Sequence, residues 1–159
     1  MITEWHVAFL DRQPGAPRQW WDVFTRPGWR HVLAMGLDLE RDRWVVVDPL
    51  WDGLVVEVLS TEAEFAGLLT ALAPRLTACL RVKPGAERSR LPRLGAWCVP
   101  TVAALLGLRV RALGPAGLYR QLLKRGAKPS FQEMLSRGID LQRAEDAQAG
   151  PGGGARGAA

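Results

Sequence analysis

The stretch HVLAMGLDLERDRWVVVDPLWDGLVVEVL, residues 31–59, decides the fold. It contains three largely apolar runs, at residues 31–37, 43–48 and 54–59, which predict three strands. The run at 43–48 is the clearest of them, because it is rich in β-branched side chains. Leu39-Glu40-Arg41-Asp42 fits a hairpin turn between the first two runs, and Asp48-Pro49 and Asp52-Gly53 bound the second connection. Strands that follow one another through such short turns favour an antiparallel sheet.

The segments on either side add further strands and several helices. The sequence predicts strands at residues 4–10 and 77–82, helices at 18–25, 62–72, 99–106, 117–124 and 130–136, and a loop at 83–93. Thr61 and Glu64 form the T-x-x-E capping box that starts the helix at 62–72. The expected fold class is therefore α+β, with a small, mostly antiparallel sheet packed with helices.

The chain has the length of a single domain. We assign residues 1–141 to that domain and expect the Gly/Ala-rich tail, residues 142–159, to be disordered, because its composition cannot offset the entropy lost on ordering. No apolar run has the length of a membrane-spanning helix, so no membrane span is expected. With no secretory signal and only two Cys residues, a cytoplasmic protein with reduced thiols is expected.

Positive charge is concentrated in the middle of the chain, although the net charge is only +5. Residues 81–128 contain eleven Lys and Arg against one acid, Glu87. Five of these side chains lead towards Cys98 and form a candidate anion-binding segment: Arg81, Lys83, Arg88, Arg90 and Arg93. This segment could bind nucleic acid or another polyanion, or it could be a solvated loop without a ligand.

Cys98 is the candidate nucleophile. It directly precedes the helix predicted at 99–106, where unpaired backbone N–H groups and the helix dipole favour a thiolate over a thiol. The alternative is a buried and inert thiol, since free Cys is among the most buried residue types. Cys79 lies in the middle of the predicted strand 77–82 and is expected to be a core residue.

His31 is the candidate base for this thiol, because it opens a strand and strand ends border clefts. The other histidine, His6, lies inside the N-terminal strand and is expected to pack or to be exposed. A four-residue loop at 39–42 would set His31 opposite residue 50, so that residues 48, 50 and 52 share its face of the sheet. Asp48 and Asp52 could each orient the imidazole, and we favour Asp48, which ends its strand.

The order of these three residues resembles that of circularly permuted papain-like proteins. A His at a strand start, a polar residue on the next strand and a Cys at a helix N-terminus follow one another in that group. The group resembles the NlpC-type cell-wall peptidases and the lecithin:retinol acyltransferase family, with the Cys helix moved after the sheet. Trp97-Cys98-Val99, Leu106-Gly107 and residues 115–122 are also similar to a pattern in small proteins encoded in phages and prophages. The resemblance covers residues 28–126, and it departs from acyltransferase relatives at Trp97, where they usually have Asn, and at Asp48, where they commonly have a second His.

The resemblance implies a thiol hydrolase or acyltransferase, foremost an amidase or peptidase, with Cys98 as nucleophile, His31 as base and Asp48 as the orienting residue. Its partner would be a peptide or other acyl substrate, and its location the cytoplasm or a virion. No cofactor is expected, because the sequence has no phosphate-binding loop, dinucleotide fingerprint or metal-ligand spacing. The alternative is a non-enzymatic phage accessory protein that binds a polyanion or a phage component through its basic face.

Overall fold

The structure, a computed structural model, describes residues 1–13, 15, 17, 25–50, 52–86, 97–130 and 132–133. The tail at 142–159 and all of the helix predicted at 18–25 except Thr25 lie outside the described residues, as do four of the seven residues of the helix predicted at 130–136. The same holds for residues 87–93 of the predicted loop.

Six strands form one sheet in which every neighbouring pair is antiparallel. The strands are β1 (Ile2–Leu10), β2 (His31–Asp38), β3 (Arg43–Pro49), β4 (Leu54–Leu59), β5 (Leu76–Val82) and β6 (Lys128–Pro129). Their order across the sheet is β4-β3-β2-β1-β5-β6. The helices are α1 (Glu62–Leu72), α2 (Cys98–Leu105) and α3 (Pro115–Lys124), and a short 3-10 turn, Ala73–Arg75, links α1 to β5. The predicted α+β class with a mostly antiparallel sheet is confirmed.

The β2–β3 hairpin has the register that the sequence predicts. Ala34 lies opposite Val47 and Leu37 opposite Trp44, so that four residues, 39–42, form the turn. Asp42 closes this turn with φ of 48°, the left-handed conformation that Asp tolerates better than most residues. The register matters because it fixes which side chains of the two strands share a face.

Both faces of the central strands are covered and each carries its own apolar core, whereas the edge strand β4 is largely exposed. Helices α2 and α3 cover one face, where Phe9 and Val32 pack with Leu106, Leu118 and other buried residues. Helix α1 covers the opposite face, where Leu33 and Met35 pack with Phe65. The central strands β1 and β2 are therefore apolar on both sides, which explains why their sequences read as continuous apolar runs.

The ends of the helices follow local sequence signals. The backbone N–H of Glu64 donates to the Thr61 hydroxyl at 3.1 Å and the N–H of Thr61 donates to the Glu64 carboxylate at 3.2 Å, which confirms the capping box of α1. Helix α2 starts at Cys98, with Trp97 as its N-cap, one residue earlier than predicted. Gly107, with φ of 63°, ends it in the left-handed conformation that glycine adopts most easily.

The sequence analysis predicted neither strand β6 nor the 3-10 turn at Ala73–Arg75. Strand β6 contains only two residues, which pair with Leu80 and Arg81 of β5, and so short a segment carries no alternating pattern. Among the described residues, no helix is long and apolar enough to cross a membrane.

Candidate functional site

His31 and Asp48 meet at one end of the sheet, where β2 begins and β3 is about to end. The Nε2 atom of His31 lies 2.5 Å from Oδ1 of Asp48, a charge-assisted hydrogen bond when the ring is protonated. Their side chains are 20% and 31% exposed, so the pair is largely shielded but still open to solvent. The hairpin register brings the two residues together, because it places even positions of β3 on the face of His31.

Cys98 contacts the same imidazole. The Cys98 thiol acts on the His31 side chain through hydrogen bonding and charge, and both effects raise the pKa of the imidazole. The Cys98 residue is half-buried and packs against the apolar core beneath α2.

The environment of His31 favours the charged form of the ring. Burial lowers the pKa of His31, but the hydrogen bonds to Asp48 and Cys98, with the negative charge that each partner can carry, outweigh burial and raise the pKa to about 9. An imidazolium held between a carboxylate and a thiol stabilises the thiolate. The three side chains therefore form a Cys–His–Asp chain, with the imidazole in the middle.

The first turn of α2 adds main-chain donors next to the sulfur. The N–H groups of Cys98 and Val99 have no carbonyl within the helix, and Pro100 contributes no N–H at all. The first intrahelical bond is made by Thr101, whose N–H donates to the Trp97 carbonyl at 3.3 Å. The N–H groups of Cys98 and Val99, together with the positive end of the helix dipole, can bind a negative charge that develops beside Cys98.

Cys79 offers a comparison within the same chain. It is 3% exposed, in agreement with the prediction of a core residue. Burial raises the pKa of its thiol to about 11, although a hydrogen bond with Ser130 lowers it. The Ser130 hydroxyl lies 3.5 Å from this sulfur and 3.1 Å from Nδ1 of His6, so a serine separates the second cysteine from the second histidine. This cluster is built for packing and hydrogen bonding, and its sulfur is inaccessible.

The remaining predicted candidates lie outside the Cys–His–Asp chain. Asp52 is exposed in the turn before β4. In the candidate anion-binding segment, the Arg81 guanidinium is paired with Glu133 at 3.1 Å and approaches Glu4 at 3.9 Å, so two carboxylates occupy it. Lys83 is exposed, and Arg88, Arg90 and Arg93 lie outside the described residues.

A separate cavity of about 380 Å³ opens at the N-terminus of α3. The described residues that line it include Arg26, Trp29, Arg111 and Arg120. The sequence analysis did not identify this cavity, because its described lining residues come from two distant segments, 25–29 and 111–121, and share no motif. A local excess of Arg over acids was the only signal that pointed towards it.

Comparisons of the chain with protein-family models, with curated proteins and with solved structures gave no match.

Proposed function

We propose that the protein is a cysteine hydrolase that uses Cys98, His31 and Asp48 to cleave an amide or a related acyl bond. The observation that carries this proposal is the continuous contact from Asp48 through His31 to Cys98, at the start of a helix. A nucleophile in contact with a base that a third residue orients is the arrangement that activates a thiol for acyl transfer.

In the first step the Cys98 sulfur attacks the acyl carbon. A carbon–sulfur bond forms, and the carbonyl oxygen takes up negative charge that the N–H groups of Cys98 and Val99 are positioned to stabilise. His31, protonated, gives its proton to the leaving amine as the carbon–nitrogen bond breaks. The product of this step is a thioester on Cys98.

In the second step water releases the acyl group. His31, now neutral, takes a proton from the water as its oxygen attacks the thioester, and the carbon–sulfur bond breaks to give a carboxylic acid. Asp48 holds the ring in one orientation and stabilises its positive charge in both steps. An amine or alcohol in place of water would make the same site an acyltransferase.

The order of elements supports a permuted papain-like relationship. In this chain the His strand and the Asp strand precede the Cys helix, and the helix packs against those two strands. The proposed fold assignment, with its link to small phage and prophage proteins, rests on that order and on the residues around Cys98. A peptide substrate, and a site of action in the cytoplasm or on a virion, belong to the same proposal.

The proposal is tested with an activated ester, because p-nitrophenyl acetate reacts with most nucleophilic thiols whatever their natural substrate. Intact-mass and peptide mass spectrometry should show one acetyl group on Cys98, followed by turnover with release of p-nitrophenolate. The matched variants are Cys98→Ser, which should lose both the adduct and the turnover, and Cys79→Ser, which should keep both.

Two outcomes would overturn the proposal. One is acetylation of Cys98 no faster than that of a free cysteine in a short unstructured peptide. The other is no adduct on Cys98 in protein that remains folded. Either result would favour the alternative function, a non-enzymatic accessory protein that binds a polyanion.

A further inference from the structure

We propose that the cavity at the N-terminus of α3 binds a small organic phosphate, with its phosphate held by arginines and its apolar body against Trp29. This inference concerns a second site and does not depend on the proposed activity of Cys98.

Positive charge converges on this cavity from three parts of the chain. Arg26 comes from the segment before β2, Arg111 from the connection between α2 and α3, and Arg120 from α3 itself. No Asp or Glu is among the described residues that line the cavity. Within the described part of the chain, none of these three guanidiniums forms an ion pair, unlike Arg81 and Arg41. The three arginines are exposed, so their guanidiniums are available to an anion that enters the cavity.

The start of α3 adds to the positive electrostatic potential in the cavity. Its N-cap, Gly114, provides no side-chain cap, and its first turn contains no acidic residue. Both Gly114 and the helix residues Pro115, Ala116 and Gly117 line the cavity. The positive end of the helix dipole therefore faces the space that the arginines surround, which favours a ligand with negative charge.

The rest of the lining is apolar or aromatic. Trp29 is half-buried and is held by ring contacts with Phe9 and Tyr119, at centroid distances of 5.6 and 4.7 Å. Ala112 and Pro115 complete the apolar wall. A tryptophan fixed in this way offers one side of the cavity to a flat or apolar group, while the arginines hold the charged end.

The ligand class follows from the combination of charge, shape and size. A volume of about 380 Å³ is that of a pocket for a small molecule. Arginine forms paired hydrogen bonds to phosphate oxygens, and several guanidiniums match a phosphate dianion better than a single carboxylate. A compact phosphate monoester with an apolar or aromatic group can bind the arginines through its phosphate and pack that group against Trp29.

Phenyl phosphate is the probe for this proposal, titrated into the full chain by isothermal titration calorimetry at constant ionic strength. Inorganic phosphate tests the anion without the body, and benzoate tests the ring with a single charge. Phenyl phosphate should bind most tightly. Arg111→Gln and Arg120→Gln should each weaken its binding about tenfold. Arg43→Gln, which removes an exposed arginine outside the cavity, should leave the binding unchanged.

The contribution of the aromatic wall is measured separately. Trp29→Leu should weaken phenyl phosphate binding more than inorganic phosphate binding, provided that circular dichroism shows a folded protein. If this variant does not fold, chemical-shift changes of the Trp29 indole on addition of phenyl phosphate to the unmodified chain serve the same purpose. Equal weakening by Arg43→Gln, or binding of benzoate as tight as that of phenyl phosphate, would overturn the proposal. Failure to bind phenyl phosphate would overturn it as well, and none of these results bears on Cys98.

Discussion

Asp48 places a carboxylate oxygen 2.5 Å from Nε2 of His31, and this contact orients the ring that also touches Cys98. The two residues come from adjacent strands of one hairpin, so a local turn fixes their relative position. A charge held against the imidazole in this way acts on the thiol through the ring. Its removal should therefore change reactivity more than stability.

Asp48→Asn should slow the alkylation of Cys98 by iodoacetamide at about pH 6.5 by tenfold or more, because it keeps the side-chain shape and removes the charge that stabilises the imidazolium. The melting temperature should change little. Asp52→Asn is the matched control, because Asp52 is exposed in the neighbouring turn, and this substitution should leave the rate unchanged. If Asp52→Asn had the larger effect, the orienting role would move to Asp52.

The titration of His31 should be displaced to high pH. Burial lowers its pKa, and the bonds to Asp48 and Cys98 overcome burial and raise the pKa to about 9. The imidazole resonance, assigned with a His31→Gln variant and followed by NMR, should therefore titrate above the usual value of about 6.5. Asp48→Asn should move this midpoint down. A midpoint near the usual value in the unmodified chain would show that the ring is not held by its two partners.

The raised pKa of His31 also sets the alkaline limit of the proposed hydrolysis. His31 must be protonated to release the leaving amine, and it remains so up to about pH 9. Turnover of an amide substrate should fall as the pH rises through that value, and Asp48→Asn should move the fall to lower pH. A pH–rate profile of kcat measures this directly, and a profile that keeps rising beyond about pH 10 would be inconsistent with a protonated His31 as the acid.

The two cysteines should differ in reactivity by a wide margin. Cys98 is half-buried beside the imidazole, whereas Cys79 is buried and has its pKa raised to about 11 by that burial. Limited treatment with iodoacetamide near neutral pH, followed by peptide mass spectrometry, should label Cys98 alone. Labelling of Cys79 should appear only on unfolding in urea. Equal labelling of both thiols in the folded protein would contradict the difference in their surroundings.

The contribution of helix α1 to the stability of the protein should depend measurably on its capping box. Thr61→Ala removes the hydroxyl that accepts from the Glu64 N–H, and we expect the free energy of unfolding to fall by about 1 kcal/mol. Thr70→Ala is the control on the same helix, because Thr70 is exposed and its hydroxyl bonds only to the Ala66 carbonyl one turn earlier. Urea unfolding should show little change for this control. A loss as large as that of Thr61→Ala would mean that the cap is not the cause.

The parts of the structure that could be predicted from the sequence are those with strong local signals. The turn at 39–42 and the apolar alternation on either side of it define the β2–β3 register, and that register brings Asp48 to His31. The Thr61–Glu64 capping box likewise gives the start of α1. In each case the residues that carry the signal lie within a few positions of one another.

Features formed by distant segments could not be predicted in this way. Strand β6 is held by pairing with β5 across a separation of almost fifty residues, and its two residues have no pattern of their own. The cavity beside α3 unites Arg26 with Arg111 and Arg120, and the packing of Trp29 against Tyr119 helps to bring these segments together. The contact of Cys98 with His31 was expected from the order of the elements, since no local pattern links the two residues.

The reactivity of the Cys98 sulfur tests the central claim most directly. In a Cys79→Ala variant Cys98 is the only thiol, so the rate of alkylation by iodoacetamide reports on it alone. We predict that at about pH 7 this variant is alkylated faster, by about tenfold or more, than the same variant with His31→Gln added, because the imidazolium then no longer stabilises the negative sulfur. Equal rates in the two variants, no faster than that of a free cysteine in a short unstructured peptide, would contradict the account.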